Sequence, residues 1–125
     1  GARLAVSPDC NPEVIAATRA AGMDSYPGIF TPTEAFTALR AGATGLKLFP
    51  AAQIGPAGLK AMRAVLPQHC AVYAVGGVGP ADFSAWLAAG ATGFGLGTAL
   101  YAPGMAVADV AARARAAVAA WDATK

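Results

Sequence analysis

The sequence predicts an α/β fold in which parallel strands alternate with helices. One phrase recurs, as Ala21-Gly22-Met23-Asp24-Ser25, Ala41-Gly42-Ala43-Thr44-Gly45 and Ala89-Gly90-Ala91-Thr92-Gly93. Each copy closes an Ala-rich helical pattern and opens a short apolar run. The copies begin 20 and then 48 positions apart, a spacing of one and then two strand-plus-helix units. Proline follows most of the apolar runs, at Pro12, Pro32, Pro56 and Pro80, where it suits the first turn of a helix because its missing N–H costs nothing there.

These signals set the elements in order. A strand over Arg3–Ser7 precedes a helix over Pro12–Ala21, opened by Asn11. A strand over Asp24–Pro27 precedes a helix over Pro32–Ala41, with Thr31 or Thr33 as its cap. A strand over Thr44–Phe49 precedes a helix over Pro56–Leu66, and a strand over Ala71–Val75 precedes one over Pro80–Ala89. The last strand, Thr92–Leu96, leads to a helix over Val107–Trp121. Gly22, Gly42 and Gly90 supply the left-handed stops after three of these helices.

Alternating strands and helices imply a parallel sheet with right-handed crossovers. An open doubly wound sheet and a closed (β/α)8 barrel both satisfy that pattern. The uniform short repeat favours the TIM-barrel class, here as about five βα units of an incomplete barrel. Residues 1–125 then form the C-terminal portion of a single barrel domain, with three units expected in front. Either architecture gathers the functional loops at the C-terminal strand ends.

Composition narrows the function. With 56% hydrophobic and 13% charged residues, the chain can build a core. Its net charge of +2 comes from scattered Lys and Arg, so there is no face for nucleic acid. No apolar run approaches a membrane span, no secretory signal is visible, and the sparse cysteines fit a reducing cytoplasm. Cys10 and Cys70 are too few for a disulfide framework and are expected to be packing residues. The beginning at Gly1 suggests a processed or partial chain.

Lys47 is the residue that points to chemistry. In Gly45-Leu46-Lys47-Leu48-Phe49-Pro50, alternation turns Leu46 and Leu48 to one face and Gly45, Lys47 and Phe49 to the other. In a barrel the second face points to the axis. An amine held from water without a carboxylate partner loses its proton more readily and can attack a ketone. The bland reading is a lysine that pairs with a buried carboxylate or snorkels to the barrel mouth. Gly76-Gly77 and Gly97-Thr98 end consecutive strands, where backbone N–H groups can cradle a phosphate. A plain turn explains either one alone.

Other candidates recede. His69, the sole histidine, falls in a helix-to-strand turn on the opposite end. Asp9 and Glu34 lie near the functional rim, where capping or solvation is the simpler role. Trp86 and Trp121 suit packing. No metal-ligand spacing, dinucleotide fingerprint, Walker motif or Ser–His–Asp set is present.

The run Leu46-Lys47-Leu48-Phe49-Pro50-Ala51 resembles the lysine strand of the class I aldolases for 2-keto-3-deoxy-6-phosphogluconate and 2-keto-3-deoxy-6-phosphogalactonate. Val75-Gly76-Gly77-Val78 resembles their phosphate-loop strand. Thr33–Leu39 and Gly95–Tyr101 resemble the galactonate branch, and the resemblance extends over essentially the whole chain. It implies Lys47 as the Schiff-base residue and Phe49 as a wall of the substrate pocket. It also implies Gly76, Gly77, Gly97 and Thr98 as phosphate-binding positions, with Thr98 where serine is common. Val75 stands where the gluconate enzymes carry threonine and the galactonate enzymes valine. The implied reaction cleaves 2-dehydro-3-deoxy-6-phosphogalactonate to pyruvate and D-glyceraldehyde 3-phosphate, without metal or organic cofactor, in a homotrimer.

The resemblance also implies a departure. The family's carboxylate-binding arginine and acid/base glutamate lie on strands ahead of this segment, so the segment alone is expected to be nearly inactive. The alternatives are the phosphogluconate aldolase, a non-catalytic phosphate-binding barrel fragment, or another phosphate-handling barrel such as an epimerase or synthase.

Overall fold

The computed structural model describes residues 1–125. Strand β1 (Leu4–Val6) leads to α1 (Pro12–Ala20), and β2 (Asp24–Tyr26) and β3 (Gly28–Ile29) lead to α2 (Pro32–Arg40). Then come β4 (Leu46–Leu48), α3 (Ala51–Arg63), β5 (Val72–Val75), a 3-10 turn at Pro80–Asp82, α4 (Phe83–Ala88), β6 (Gly93–Gly95) and α5 (Val107–Asp122).

All strand pairs are parallel, in the orders β1-β2 and β3-β4-β5-β6. The expected second strand is divided at Pro27, but backbone bonds carry the ladder across. Ser7 N–H donates to Tyr26 O at 3.2 Å, Gly28 N–H to Asp9 O at 3.1 Å, and Lys47 N–H to Pro27 O at 2.9 Å. The strands therefore form one arc in chain order. A doubly wound sheet reverses its order at a switch point, and this arc has none. Sequential order is the barrel pattern.

The outer face of the arc meets the helices. Leu46, Leu48, Val72 and Ala74 are fully buried there, in a core with Ile15, Ile29, Leu59 and Trp86. Burying each large aliphatic side chain contributes about 1.5–3 kcal/mol. Alternation then sends Lys47, Tyr73 and Val75 to the inner face. In this chain that face is open, and Leu4 and Val6 remain 53% and 55% exposed.

Most element boundaries agree with the sequence to within a few residues. The third helix differs. A turn over Ala51–Ile54 precedes the expected start at Pro56, and Gly55, at φ 70° and ψ 165°, breaks the helix between them. The helix expected from Pro80 begins as the 3-10 turn, where Asp82 Oδ2 accepts from Gly79 N–H at 3.1 Å.

Of the two threonines offered as caps, Thr31 caps α2. Its Oγ1 accepts from Glu34 N–H at 3.3 Å, and Glu34 Oε2 accepts from Thr31 N–H at 2.7 Å and Phe30 N–H at 2.8 Å. The Phe30 N–H is the main cause holding the Glu34 carboxyl below its ordinary value; burial opposes it, and the Thr31 hydroxyl and N–H help. Thr31→Ala is expected to lower stability by about 1 kcal/mol in urea titration. The contribution of Glu34 is present above pH 4.5, its ordinary value, and is lost as pH falls through the lower folded value.

Candidate active site

Strand β4 carries Lys47 on the inner face, between buried Leu46 and Leu48. The side chain is half-buried rather than enclosed. It takes part in neither of the molecule's ion pairs, which are Arg19–Asp24 and Asp122–Lys125. Its ammonium nitrogen lies 4.4 Å from the centroid of the Phe49 ring, within reach of a cation–π attraction.

Phe49 connects the lysine to the first glycine turn. A Cβ built on Gly76 would lie 3.0 Å from the Phe49 ring, and one on Gly77 would lie 2.6 Å from Ala52 Cβ. Both glycines have positive φ, 92° and 72°. Ala52 N–H donates to Gly76 O at 3.0 Å, pinning the turn to the start of α3. These glycines are thus required by backbone conformation and by close packing, apart from any ligand.

Their N–H groups remain free. Gly76, Gly77 and Val78 donate to no acceptor in the chain, nor do Gly97 and Thr98. Val75 and Gly95 are register partners at the ends of β5 and β6, so the Gly76-Gly77 and Gly97-Thr98 turns follow neighbouring strands. Two turns at the C-terminal edge thus carry unpaired donors, an arrangement suited to an anion.

Val75 lines the same cavity as Lys47, about 350 Å³ in volume, together with Tyr26, Tyr73 and Gly95. Gly95 makes room for it, since a Cβ there would lie 2.7 Å from Val75 Cγ2. A larger cavity of about 500 Å³ lies between β6 and α5, lined by residues such as Leu96, Val118 and Trp121. It holds no lysine, histidine or carboxylate, so the smaller one is the candidate site.

The remaining candidates fall away from Lys47. His69 is exposed in the α3–β5 turn, Asp9 is exposed, and Glu34 is occupied as a cap. Burial pushes the Cys70 thiol up, with Arg63 opposing. The Cys10 thiol is pushed up by burial, then by Glu34 and Asp9. Both thiols are free, and neither has the electropositive setting of a nucleophile. No group of three metal-ligating side chains occurs, and no helix is long and apolar enough to cross a membrane.

Tyr26 and Tyr73 were not singled out from the sequence. The alternation in Val72-Tyr73-Ala74-Val75 would have placed Tyr73 beside Val75 on the inner face.

The lysine strand and the two glycine turns lie within the match to one family. The model for KDPG and KHG aldolases matches residues 1–112. The chain belongs to this aldolase family. It is 52% identical over 123 residues to a probable 2-dehydro-3-deoxy-6-phosphogalactonate aldolase of Rhizobium meliloti (strain 1021), covering 98% of this chain and 58% of that protein. It is 48% identical over 121 residues to the 2-dehydro-3-deoxy-6-phosphogalactonate aldolase of Escherichia coli (strain K12), covering 97% of this chain and 59% of that one. A solved structure described as native KDPGal superposes with a TM-score of 0.95 at 47% identity, covering 98% of this chain and 59% of the other. The chain thus spans just under three fifths of the length of these aldolases.

The glycine geometry yields a paired expectation. Gly77→Ala combines a left-handed φ with a 2.6 Å contact and should destabilise the aldolase segment by about 1–3 kcal/mol. Gly79→Ala meets nothing within 4 Å and should leave stability unchanged or slightly raised. Chemical denaturation of both variants measures the difference.

Proposed function

We propose that this chain is the C-terminal, Schiff-base-bearing portion of a class I aldolase for 2-dehydro-3-deoxy-6-phosphogalactonate. The observation that carries the reading is Lys47. It is a side-chain amine without a carboxylate partner, on the inner face of the arc, beside Phe49 and Val75 and near two turns with free N–H donors.

The chemistry follows from that placement. The neutral Lys47 amine adds to the C2 ketone of the substrate, and the carbonyl oxygen leaves as water. The resulting iminium accepts the electron pair of the C3–C4 bond. A base removes the C4 hydroxyl proton, and that carbon departs as the aldehyde of glyceraldehyde 3-phosphate. The three-carbon enamine takes a proton at C3, and water releases pyruvate and the amine.

Phe49 packs against the amine, and Gly76, Gly77, Gly97 and Thr98 donate N–H groups to the 6-phosphate. This needs neither metal nor organic cofactor. No carboxylate of this chain lines the Lys47 cavity, so the acid/base group comes from elsewhere in the complete enzyme. The proposed assembly is a homotrimer acting in the cytoplasm in galactonate catabolism. A related solved structure, 47% identical to this chain, is a protein cage designed by fusing symmetric oligomeric domains.

Val75 favours the galactonate over the gluconate epimer. An apolar side chain offers no hydrogen bond to a C4 hydroxyl, so the epimers are distinguished by shape and by other donors.

Borohydride reduction in the presence of pyruvate tests the central step. A stable adduct on Lys47, mapped by peptide mass spectrometry and lost in Lys47→Ala, is expected. A well-folded chain without that adduct would instead be a phosphate-binding segment. In the complete enzyme, turnover of the two C4 epimers should favour the galactonate substrate. Val75→Thr should shift the preference toward the gluconate epimer by about tenfold, the scale of one hydrogen bond.

A further inference from the structure

The repeated Ala-Gly-Ala-Thr-Gly phrase and two inner-face tyrosines have no part in the chemistry above, and the structure joins them. Tyr26 on β2 and Tyr73 on β5 meet edge to face across β4, with ring centroids 5.5 Å apart and planes at 89°. Tyr73 is the register partner of Lys47. Gly45 N–H donates to Ser25 O at 3.4 Å, which sets Tyr26 opposite Gly45, two residues before Lys47 on the same face.

Both rings rest on glycine. A Cβ on Gly45 would lie 3.0 Å from Tyr26 Cε1, and one on Gly93 would lie 3.1 Å from Tyr73 Cδ1 and Cε1. These glycines close the two intact copies of the phrase. The threonine before each glycine anchors the residue before each tyrosine. Ser25 N–H donates to Thr44 Oγ1 at 3.0 Å, and Val72 N–H donates to Thr92 Oγ1 at 3.0 Å. The phrase thus builds the same ring seat twice.

We propose that Tyr26 and Tyr73 are positioning residues whose rings form a floor and a flank for Lys47, holding its amine toward the Phe49 rim. A lysine stem has four rotatable carbons, and a reacting atom displaced by about 1 Å loses orders of magnitude in rate. Phe49 contacts the amine from the rim side at 4.4 Å. Both tyrosines line the cavity that holds Lys47. Burial first, then Tyr73 and Asp24, push the Tyr26 phenol up from its ordinary value, with Arg19 opposing. That phenol stays neutral around pH 7 and leaves the amine without an anionic partner.

The proposal rests on the imine reading and is tested so that the two can fail separately. The probe is pyruvate with cyanoborohydride, with adducts at Lys47 and at exposed Lys60 resolved by peptide mass mapping over time. Tyr26→Phe and Tyr73→Phe keep the rings and should trap at Lys47 within about twofold of the unsubstituted chain, as expected if packing and not the hydroxyl positions the amine. Tyr26→Ala and Tyr73→Ala should slow Lys47 trapping by about tenfold or more while Lys60 is unaffected. Gly93→Ala, which displaces the Tyr73 ring without deleting it, should slow Lys47 trapping too and covers the case in which an alanine variant fails to fold. Undiminished Lys47 trapping in folded alanine variants and in Gly93→Ala, or equal losses in the Phe and Ala variants, would overturn the proposal. Absence of a Lys47 adduct in the folded, unsubstituted chain would overturn the imine reading itself.

Discussion

Every functional placement in this molecule depends on the parallel ladder through β4. Its outer residues, Leu46 and Leu48, are fully buried against the helices. Their burial fixes which face of the strand points inward, because a slip of one residue would exchange the two faces. Lys47 is therefore held on the inner face by hydrophobic forces acting on its neighbours. The same ladder pairs Lys47 with Tyr73 and Gly28, and Val75 with Gly95. Register thus decides what the lysine touches.

Glycine on the inner face is the second constraint. Strand β6 presents Gly93 and Gly95 inward, and Gly45 sits just before β4. Each leaves room for a larger residue on a strand that precedes it, namely Tyr73, Val75 and Tyr26. A parallel sheet brings neighbouring strands about 4.8 Å apart, too close for large side chains at every level. Alternating large and absent side chains lets the inner face carry two aromatic rings, a lysine and an open cavity. The turns beyond the strands use glycine differently. Gly76 and Gly77 adopt positive φ, a Cβ on either would press against Phe49 or Ala52, and their N–H groups have no backbone acceptor in the chain.

The arc is open in the chain as it stands. Leu4 and Val6 on one edge strand are more than half exposed, and Val118 on α5 is 59% exposed beside the other edge. An inner face that in a closed barrel is a packed interior is here a surface. This explains why Lys47 is half-buried rather than enclosed, and why no carboxylate accompanies it in its cavity. The same openness makes positioning by Phe49 and the two tyrosines more consequential, since fewer neighbours restrict the lysine stem.

By itself, the sequence determined the alternating α/β class of the fold and singled out Lys47 as the candidate reactive side chain. Period-two alternation around Lys47, prolines at helix starts and glycines after helices are local signals, and local energetics decide them. The motif around Lys47 and the Val75-Gly76-Gly77 run were likewise legible, because each is contiguous in the chain. Tertiary structure decided what was not contiguous. Choosing the barrel over the doubly wound sheet required the strand order, which is set by long-range hydrogen bonds such as Lys47 N–H to Pro27 O at 2.9 Å. Assigning Glu34 to a cap required knowing that Phe30 and Thr31 N–H groups meet its carboxylate. Explaining the repeated phrase required seeing Gly45 under Tyr26 and Gly93 under Tyr73. Those pairs lie 19 and 20 residues apart in the chain, and a contact at that separation exists only once the strands have paired in one register.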